Sequence, residues 1–162
     1  MFTTRSASPD DAALIAAHRH AMFASMLNAN LAALDTMRRA FDPWVRERLV
    51  NGRYIGWIAE EDGRVAGSAG LLILDWPPHP LDPASHDRGY ILNVYVEPDF
   101  RKRGLAHELL EQCMAEARRR RIRVITLHSS DAGRPVYEGF GFRATSEMLY
   151  AGPAKLKQDG ES

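Results

Sequence analysis

The sequence contains little cysteine, no excess charge of either sign and no long apolar run. Cys113 is the one cysteine in 162 residues, which excludes an intrachain disulfide and favours a reducing compartment. Basic and acidic residues number 21 each, so no global field directs the chain to nucleic acid or an anionic membrane. The N-terminus has no apolar stretch of the signal-peptide type. We therefore expect a cytoplasmic protein without nucleic-acid or membrane partners.

The length of the chain indicates one domain followed by a short tail. A chain of 162 residues can bury a sizeable core but is short for two domains. We predict a single domain over residues 1–152. Residues 153–162 are polar and read as a disordered tail.

Residues 89–114 are the most informative stretch and read as strand, basic glycine turn and helix. The apolar run over residues 90–96 alternates poorly, as in a strand covered on both faces, and Pro98 ends it. In the helix that follows, apolar residues recur every three or four positions: Leu105, Leu109, Leu110, Cys113, Met114 and Ala117. Cys113 belongs to this stripe, which predicts a buried thiol rather than a nucleophile.

The turn before this helix carries cations where a cap is expected. A helix start leaves amides unpaired and usually receives Ser, Thr, Asp or Asn as its cap. Here Arg101, Lys102 and Arg103 precede Gly104. Such a turn fits an external anion, for example a pyrophosphate, because glycine permits a close approach to the amides. On spacing alone, a solvated basic loop with Gly104 as N-cap is an equal alternative.

The N-terminal third is predicted to be helical after a short edge strand at residues 2–5. Ser8 and Pro9 are typical of a helix start, and a helix follows from there. A second helix is predicted over residues 31–40. A third begins at Asp42 and Pro43 and ends at Asn51 and Gly52.

The remaining elements are predicted to be strands on either side of a proline-rich loop. Residues 54–60 and 64–74 read as a hairpin, and residues 75–88 form a loop with four prolines. Further strands are predicted over residues 123–128 and 142–150. Between them lies a short helix, for which the expected caps are Ser129, Ser130 and Asp131.

Two motifs resemble those of the GNAT (Gcn5-related N-acetyltransferase) superfamily. Arg101-x-x-Gly104-x-Ala106, after a strand that ends in Val-x-Pro, resembles the acetyl-CoA signature of that family. Residues 137–142, Tyr-Glu-Gly-Phe-Gly-Phe, resemble a second family block near the C-terminus. The resemblance covers nearly the whole chain. It implies an α/β fold, the GNAT fold, with a mixed, mostly antiparallel central sheet and helices on both faces.

The resemblance further implies an N-acetyltransferase that uses acetyl-CoA. An amine of a small molecule or peptide would attack the thioester directly. The resemblance is also compatible with a homodimer. Transfer of a longer acyl group and a non-catalytic acyl-CoA-binding module remain alternatives. The sequence does not identify the amine acceptor.

The resemblance also assigns a cofactor site and a general acid. Backbone groups of the central strand would hold the pantetheine arm, and amides at the helix start would bind the pyrophosphate with help from Arg101 or Lys102. Tyr137 matches the position that often acts as general acid, with a packing role as the alternative. The cofactor residues are Val94, Tyr95, Val96, Arg101, Lys102, Arg103, Gly104, Leu105 and Ala106.

The general base is less well defined by the sequence. His128, at a strand end, is a candidate because histidine titrates near neutrality, while solvent or Glu97 acting through a water are alternatives. Where many relatives of the family carry an asparagine beside the cofactor arm, this chain has serines. Ser130 could replace that amide, and Arg134 could contact the cofactor phosphates. The histidines show no spacing typical of metal ligands, so we expect no metal cofactor.

Overall fold

A five-stranded sheet lies at the centre of the computed structural model, which describes residues 1–26 and 30–151. Neighbouring strands pair antiparallel except for the last two, which are parallel. The predicted tail over residues 153–162 lies outside the described residues. In spatial as well as chain order, the strands are β1 Thr3–Ser6, β2 Tyr54–Glu61, β3 Arg64–Asp75, β4 Asp87–Val96 and β5 Ile125–Leu127.

Helices cover both faces of this sheet, as the sequence predicts. Within the described residues they are α1 Ala12–Met26, α2 Leu31–Asn51, α3 Leu105–Arg119 and the short α4 Arg134–Gly139. α1 and α2 pack on one face, and α3 and α4 on the other. No helix in the described ranges is both long and apolar enough to cross a membrane. The five-stranded sheet with helices on both faces confirms the predicted α/β fold class.

β4 is covered on both faces, which confirms the reading of residues 90–96, although every second residue is only half-buried. Ile91 packs into the core beneath α3, whereas Tyr90 and Leu92 contact the core beneath α1 and α2. In α3 the apolar stripe faces the sheet, and Cys113 within it is 0% exposed. Burial raises the pKa of the Cys113 thiol, so this residue packs as a small apolar side chain.

The helix break predicted before Pro43 is wrong. One helix, α2, runs for 21 residues through Pro43 and ends at Gly52, whose φ is 75°. Proline removes one helical hydrogen bond, but Phe41 and Val45 on either side of it are both buried against the sheet. That packing stabilises the helix across the missing bond, because tertiary contacts supply most of the stability of a helix in a protein.

The strand predicted over residues 142–150 is also wrong. This part of the chain pairs with none of the described strands. The apolar side chains of Met148, Leu149 and Tyr150 are 93%, 71% and 91% exposed. Residue composition indicates a preference for extended backbone, but a strand also needs a neighbour that satisfies its amides and carbonyls.

β4 and β5 separate soon after they meet. Their parallel pairing joins residues 89–91 to residues 125–127, whereas β4 continues to Val96. Asn93 has a left-handed φ of 56°, and the register of β4 against β3 shifts between Ser68 and Gly70. A bulge of this kind bends its strand. A cleft therefore opens between the far half of β4 and the end of β5.

The turn that leads into α1 is held by an ion pair. Arg5 of β1 donates hydrogen bonds of 2.8 and 2.9 Å to the two carboxylate oxygens of Asp11. The amide of Ser8 donates to the same side chain at 2.7 Å. The Arg5 contact is the main reason why the pKa of Asp11 is lowered to about 2.

This ion pair predicts a specific loss of stability in acid. The pKa of Asp11 is lower in the folded chain than in the unfolded chain, so its stabilising effect is present above about pH 4 and disappears as the pH falls towards the folded value. Asp11→Asn should lower the free energy of unfolding by about 1 kcal/mol at neutral pH and reduce the further loss in acid. Urea unfolding at several pH values measures both effects. Asp10→Asn changes an exposed neighbour and is the control; an unchanged acid dependence in Asp11→Asn would contradict the assignment.

Candidate functional site

The turn at residues 101–104 leaves the start of α3 open. Lys102 and Gly104 both have left-handed φ angles, of 60° and 84°. Gly104 is the N-cap, and no side chain in the described ranges caps this helix. A Cβ atom at Gly104 would meet nothing within 4 Å, so the approach to the helix start is clear. The amides of residues 103–106, which have no acceptor among the described residues, are therefore available to an external anion.

The three cations of the turn have different surroundings. Arg103 makes a two-point ion pair with Glu61, with both N–O distances at 2.7 Å, and its guanidinium lies 4.7 Å from the ring centroid of Phe2. Arg101 donates from Nε to the carbonyl of Val96 at 3.0 Å, and Lys102 is exposed. The Arg103 side chain thus anchors the turn to the β2–β3 hairpin. Arg101 and Lys102 are the cations left to assist an anion at the helix start.

The far half of β4 carries backbone groups that face the cleft. Val94 and Val96 pack into the core beneath α3, whereas the Tyr95 ring lies on the other face, 4.8 Å from that of His18. Beyond Ile91, no described strand pairs with the side of β4 that faces β5. Amides and carbonyls on this edge can bind an extended ligand, in the way that one strand binds another. This edge ends at Val96, whose carbonyl accepts a hydrogen bond from Arg101, so it ends beside the turn that precedes α3.

Tyr137 lies on α4, half-buried against the core beneath α3. Its ring meets that of Phe142 edge-on, with 6.2 Å between centroids. Burial is the main cause that raises the pKa of Tyr137, and nearby Cys113 acts in the same direction. The phenol therefore stays protonated at neutral pH, as a general acid must be before it reacts.

Ser130 closes the start of α4. Its carbonyl accepts hydrogen bonds from the amides of Gly133 and Arg134 at 3.1 and 3.0 Å, and its Oγ accepts from Gly133 at 3.2 Å. The capping role predicted for Asp131 is wrong, because the N-cap is Gly133 and Asp131 is exposed. Ser130 keeps its own hydroxyl proton to donate. Arg134 is exposed at the first position of α4.

His128 follows β5 directly and is held by a residue that the sequence analysis did not select. The Tyr90 hydroxyl hydrogen-bonds to Nδ1 of His128, and the two rings lie 5.7 Å apart. Nε2 of His128 lies 3.9 Å from Glu147, and the His128 side chain is 69% exposed. Tyr90 pairs with Thr126, two residues before His128. Only this strand register reveals the contact, so no local signal in the sequence would have indicated it.

A second polar cluster that sequence analysis did not find lies where α1 crosses β3 and β4. Nδ1 of His18 is 2.7 Å from Oγ of Ser68. Nε2 of His18 is 3.3 Å from a Glu97 oxygen, at ion-pair distance but without hydrogen-bond alignment. Burial is the main cause that lowers the pKa of His18, and Glu97 acts in the opposite direction. Glu97, the alternative base, therefore faces a buried and neutral histidine.

A cavity of about 500 Å³ lies beside β5. Its wall includes Arg134 and Tyr137 but no residue of β4 or of the turn at residues 101–104. Across residues 1–26 and 30–151, the His, Cys, Asp and Glu side chains form no group of three or more that could hold a metal ion. The cleft, rather than this cavity, combines a free strand edge with an open helix start. We therefore take the cleft as the candidate functional site.

Comparisons with known proteins agree with this fold. A model of the acetyltransferase (GNAT) family matches residues 16–142. A GCN5-related N-acetyltransferase from Ralstonia eutropha JMP134 superposes with a TM-score of 0.88 and 37% identity, over 93% of this chain and 98% of that chain. A predicted acetyltransferase from Clostridium acetobutylicum, solved with acetyl-CoA, gives a TM-score of 0.81 and 31% identity, over 93% of this chain and 96% of that chain.

A more distant similarity covers only part of the chain. A glucosamine 6-phosphate N-acetyltransferase from Trypanosoma brucei brucei is 33% identical over 87 residues. The match includes 54% of this chain and 56% of that relative, so the chain spans little more than half of the relative's length.

Proposed function

This chain belongs to the acetyltransferase (GNAT) family, and from that membership we propose that it transfers the acetyl group of acetyl-CoA to a primary amine of a small molecule or peptide. The observation that carries the proposal is the continuous path from the free edge of β4 to the open start of α3. Its two ends suit the two parts of the cofactor, because a strand edge binds amide groups and a helix start binds phosphate. The similarity to an acetyltransferase solved with acetyl-CoA supports the same assignment.

Acetyl-CoA supplies the reactive thioester, and the residues of this chain bind and orient it. The amides of residues 103–106 would bind the pyrophosphate, and Arg101 and Lys102 would add positive charge beside it. Backbone groups of residues 94–96 would hold the pantetheine arm. Amides on the same edge would polarise the thioester carbonyl as negative charge develops on its oxygen.

We assign one proton transfer to Tyr137 and the other to His128 or solvent. The amine nitrogen forms a bond to the acetyl carbon while the bond from that carbon to sulfur breaks. Tyr137 would give its proton to the departing sulfur, and His128 or solvent would take the proton lost by the amine. Cys113 is 0% exposed, which fits direct attack by the amine without an acyl group carried on this thiol.

A screen of amines with acetyl-CoA tests the proposed function. Release of free coenzyme A thiol identifies acceptors, and mass spectrometry of the acetylated product confirms them. Glucosamine 6-phosphate belongs in the panel because of the similarity to the Trypanosoma brucei brucei enzyme. Binding of coenzyme A without thiol release from any amine would favour the non-catalytic module. Faster release from longer acyl thioesters would favour transfer of a longer group.

A prediction follows for the base. His128→Ala should lower kcat/KM about 100-fold at neutral pH, with a smaller deficit at alkaline pH, where the amine has already lost its proton. The pH dependence of kcat/KM measures this change. His86→Ala is a matched control because His86 is 68% exposed and 3.2 Å from a carboxylate, that of Asp75. Equal activity of the two variants at neutral pH would assign proton removal to solvent.

A further inference from the structure

Arg19 of α1 is a partly buried cation without an acidic partner among the described residues. Its Nη1 donates to Oδ1 of Asn93 at 2.9 Å, and its guanidinium carbon lies 4.8 and 4.9 Å from the ring centroids of Phe23 and Phe41. Its Nε is buried and has no hydrogen-bond partner in the described ranges. A desolvated guanidinium normally pairs with a carboxylate or phosphate, so the charge of Arg19 is unbalanced here.

Arg19 lies beside the cleft between β4 and β5. Asn93 is the bulge residue near which β4 and β5 separate. Tyr90, which holds His128, is close enough to Arg19 for the two to interact electrostatically. Arg19 therefore lies on the α1 side of the cleft, near the histidine to which we assign proton removal.

The residues that hold Arg19 are rigidly packed. Asn93 donates to the Tyr54 hydroxyl at 3.1 Å, and both residues are 2% exposed. Gly70 leaves room for that hydroxyl, because a Cβ atom there would come within 2.1 Å of it. This network fixes the direction of the Asn93 oxygen toward Arg19. A neutral hydrogen-bond donor would satisfy the same oxygen, so the contact with Asn93 does not by itself require a full positive charge.

We propose that Arg19 binds an anionic group of the acceptor, and hence that the acceptors are amines that also carry a carboxylate or a phosphate. The inference rests on the function proposed above. Nη1 is engaged by Asn93 and Nε is buried, so the N–H groups of Nη2 are the ones that can hydrogen-bond to an anion. Such a contact would place the amine of the same molecule beside the cleft.

Pairs of amines that differ only in the anion test the inference. Suitable pairs are an amino acid with its amide, and glucosamine 6-phosphate with glucosamine. The wild-type protein should favour the anionic member by about 10- to 100-fold in kcat/KM, because a charged hydrogen bond is lost with the neutral member. Arg19→Gln should abolish this preference, and Arg19→Lys should retain part of it, while the affinity for coenzyme A remains unchanged in both.

Arg48→Gln is a matched control for loss of a stacked arginine. Arg48 lies on α2, with its guanidinium 4.0 Å from the ring centroid of Trp44, and this variant should keep the wild-type preference. A wild-type protein that acetylates both members of each pair equally would overturn the inference and leave the proposed function intact. Equal losses for both members in Arg19→Gln would also overturn it. A panel in which no amine releases thiol would refute the proposed function and the inference with it.

Discussion

Replacement of Gly104 by aspartate is expected to weaken the binding of coenzyme A about 1000-fold. The new carboxylate would accept hydrogen bonds from the amides at the start of α3 and would repel a phosphate there. Loss of two charge-assisted hydrogen bonds at about 2 kcal/mol each accounts for an effect of this size. Titration calorimetry with coenzyme A measures it directly.

Gly52→Asp is the matched control for the backbone. Gly52 has a φ of 75°, close to the 84° of Gly104, and a Cβ atom at either position would meet nothing within 4 Å. The two variants should therefore carry similar backbone strain, of about 1 kcal/mol, but only Gly104→Asp places an acid at an open helix start. If Gly104→Asp bound coenzyme A as tightly as Gly52→Asp, the helix start would not be the phosphate site.

Replacement of Tyr137 by phenylalanine should lower kcat about 1000-fold and leave the affinity for coenzyme A almost unchanged. The substitution removes one oxygen and keeps the ring that packs against Phe142. Burial raises the pKa of Tyr137, so the wild-type enzyme should lose activity only at a pH above that at which a free tyrosine titrates. The variant should lack this alkaline loss.

Single-turnover thiol release, combined with calorimetry, separates the chemical step from binding. Tyr150→Phe removes a hydroxyl from a side chain that is 91% exposed and serves as the control. A Tyr137→Phe variant with the turnover of wild type would leave Tyr137 with a packing role. A parallel loss of affinity and turnover would instead show that the ring had moved.

Local patterns in the sequence were enough to predict the centre of the fold. The stripe of α3 repeats every three to four residues over several turns, and a repeat of that length identifies both the helix and its buried face. The strand before it was recognised because its apolar run is bounded by Pro98. The glycine turn was noted because basic residues precede the helix at positions where a capping residue is usual. Each of these signals is contained in a few consecutive residues.

Local patterns failed where packing decides the outcome. Pro43 is a strong helix breaker by itself, yet burial of its neighbours Phe41 and Val45 keeps α2 continuous. Residues 142–150 have the composition of a strand, yet no described strand pairs with them. The N-cap of α4 is Gly133 rather than Asp131, because the turn before the helix brings the Gly133 amide to the Ser130 hydroxyl.

The sequence by itself determined the family, the strand, turn and helix over residues 89–114 and the open helix start, because each depends on neighbours in the chain. Only the tertiary structure decided which residues surround the cleft. Tyr90 meets His128 through strand register, and Arg19 meets Asn93 where α1 crosses a bulge. These partners are 38 and 74 positions apart, and no short-range periodicity encodes contacts that arise from the bending of one strand away from another.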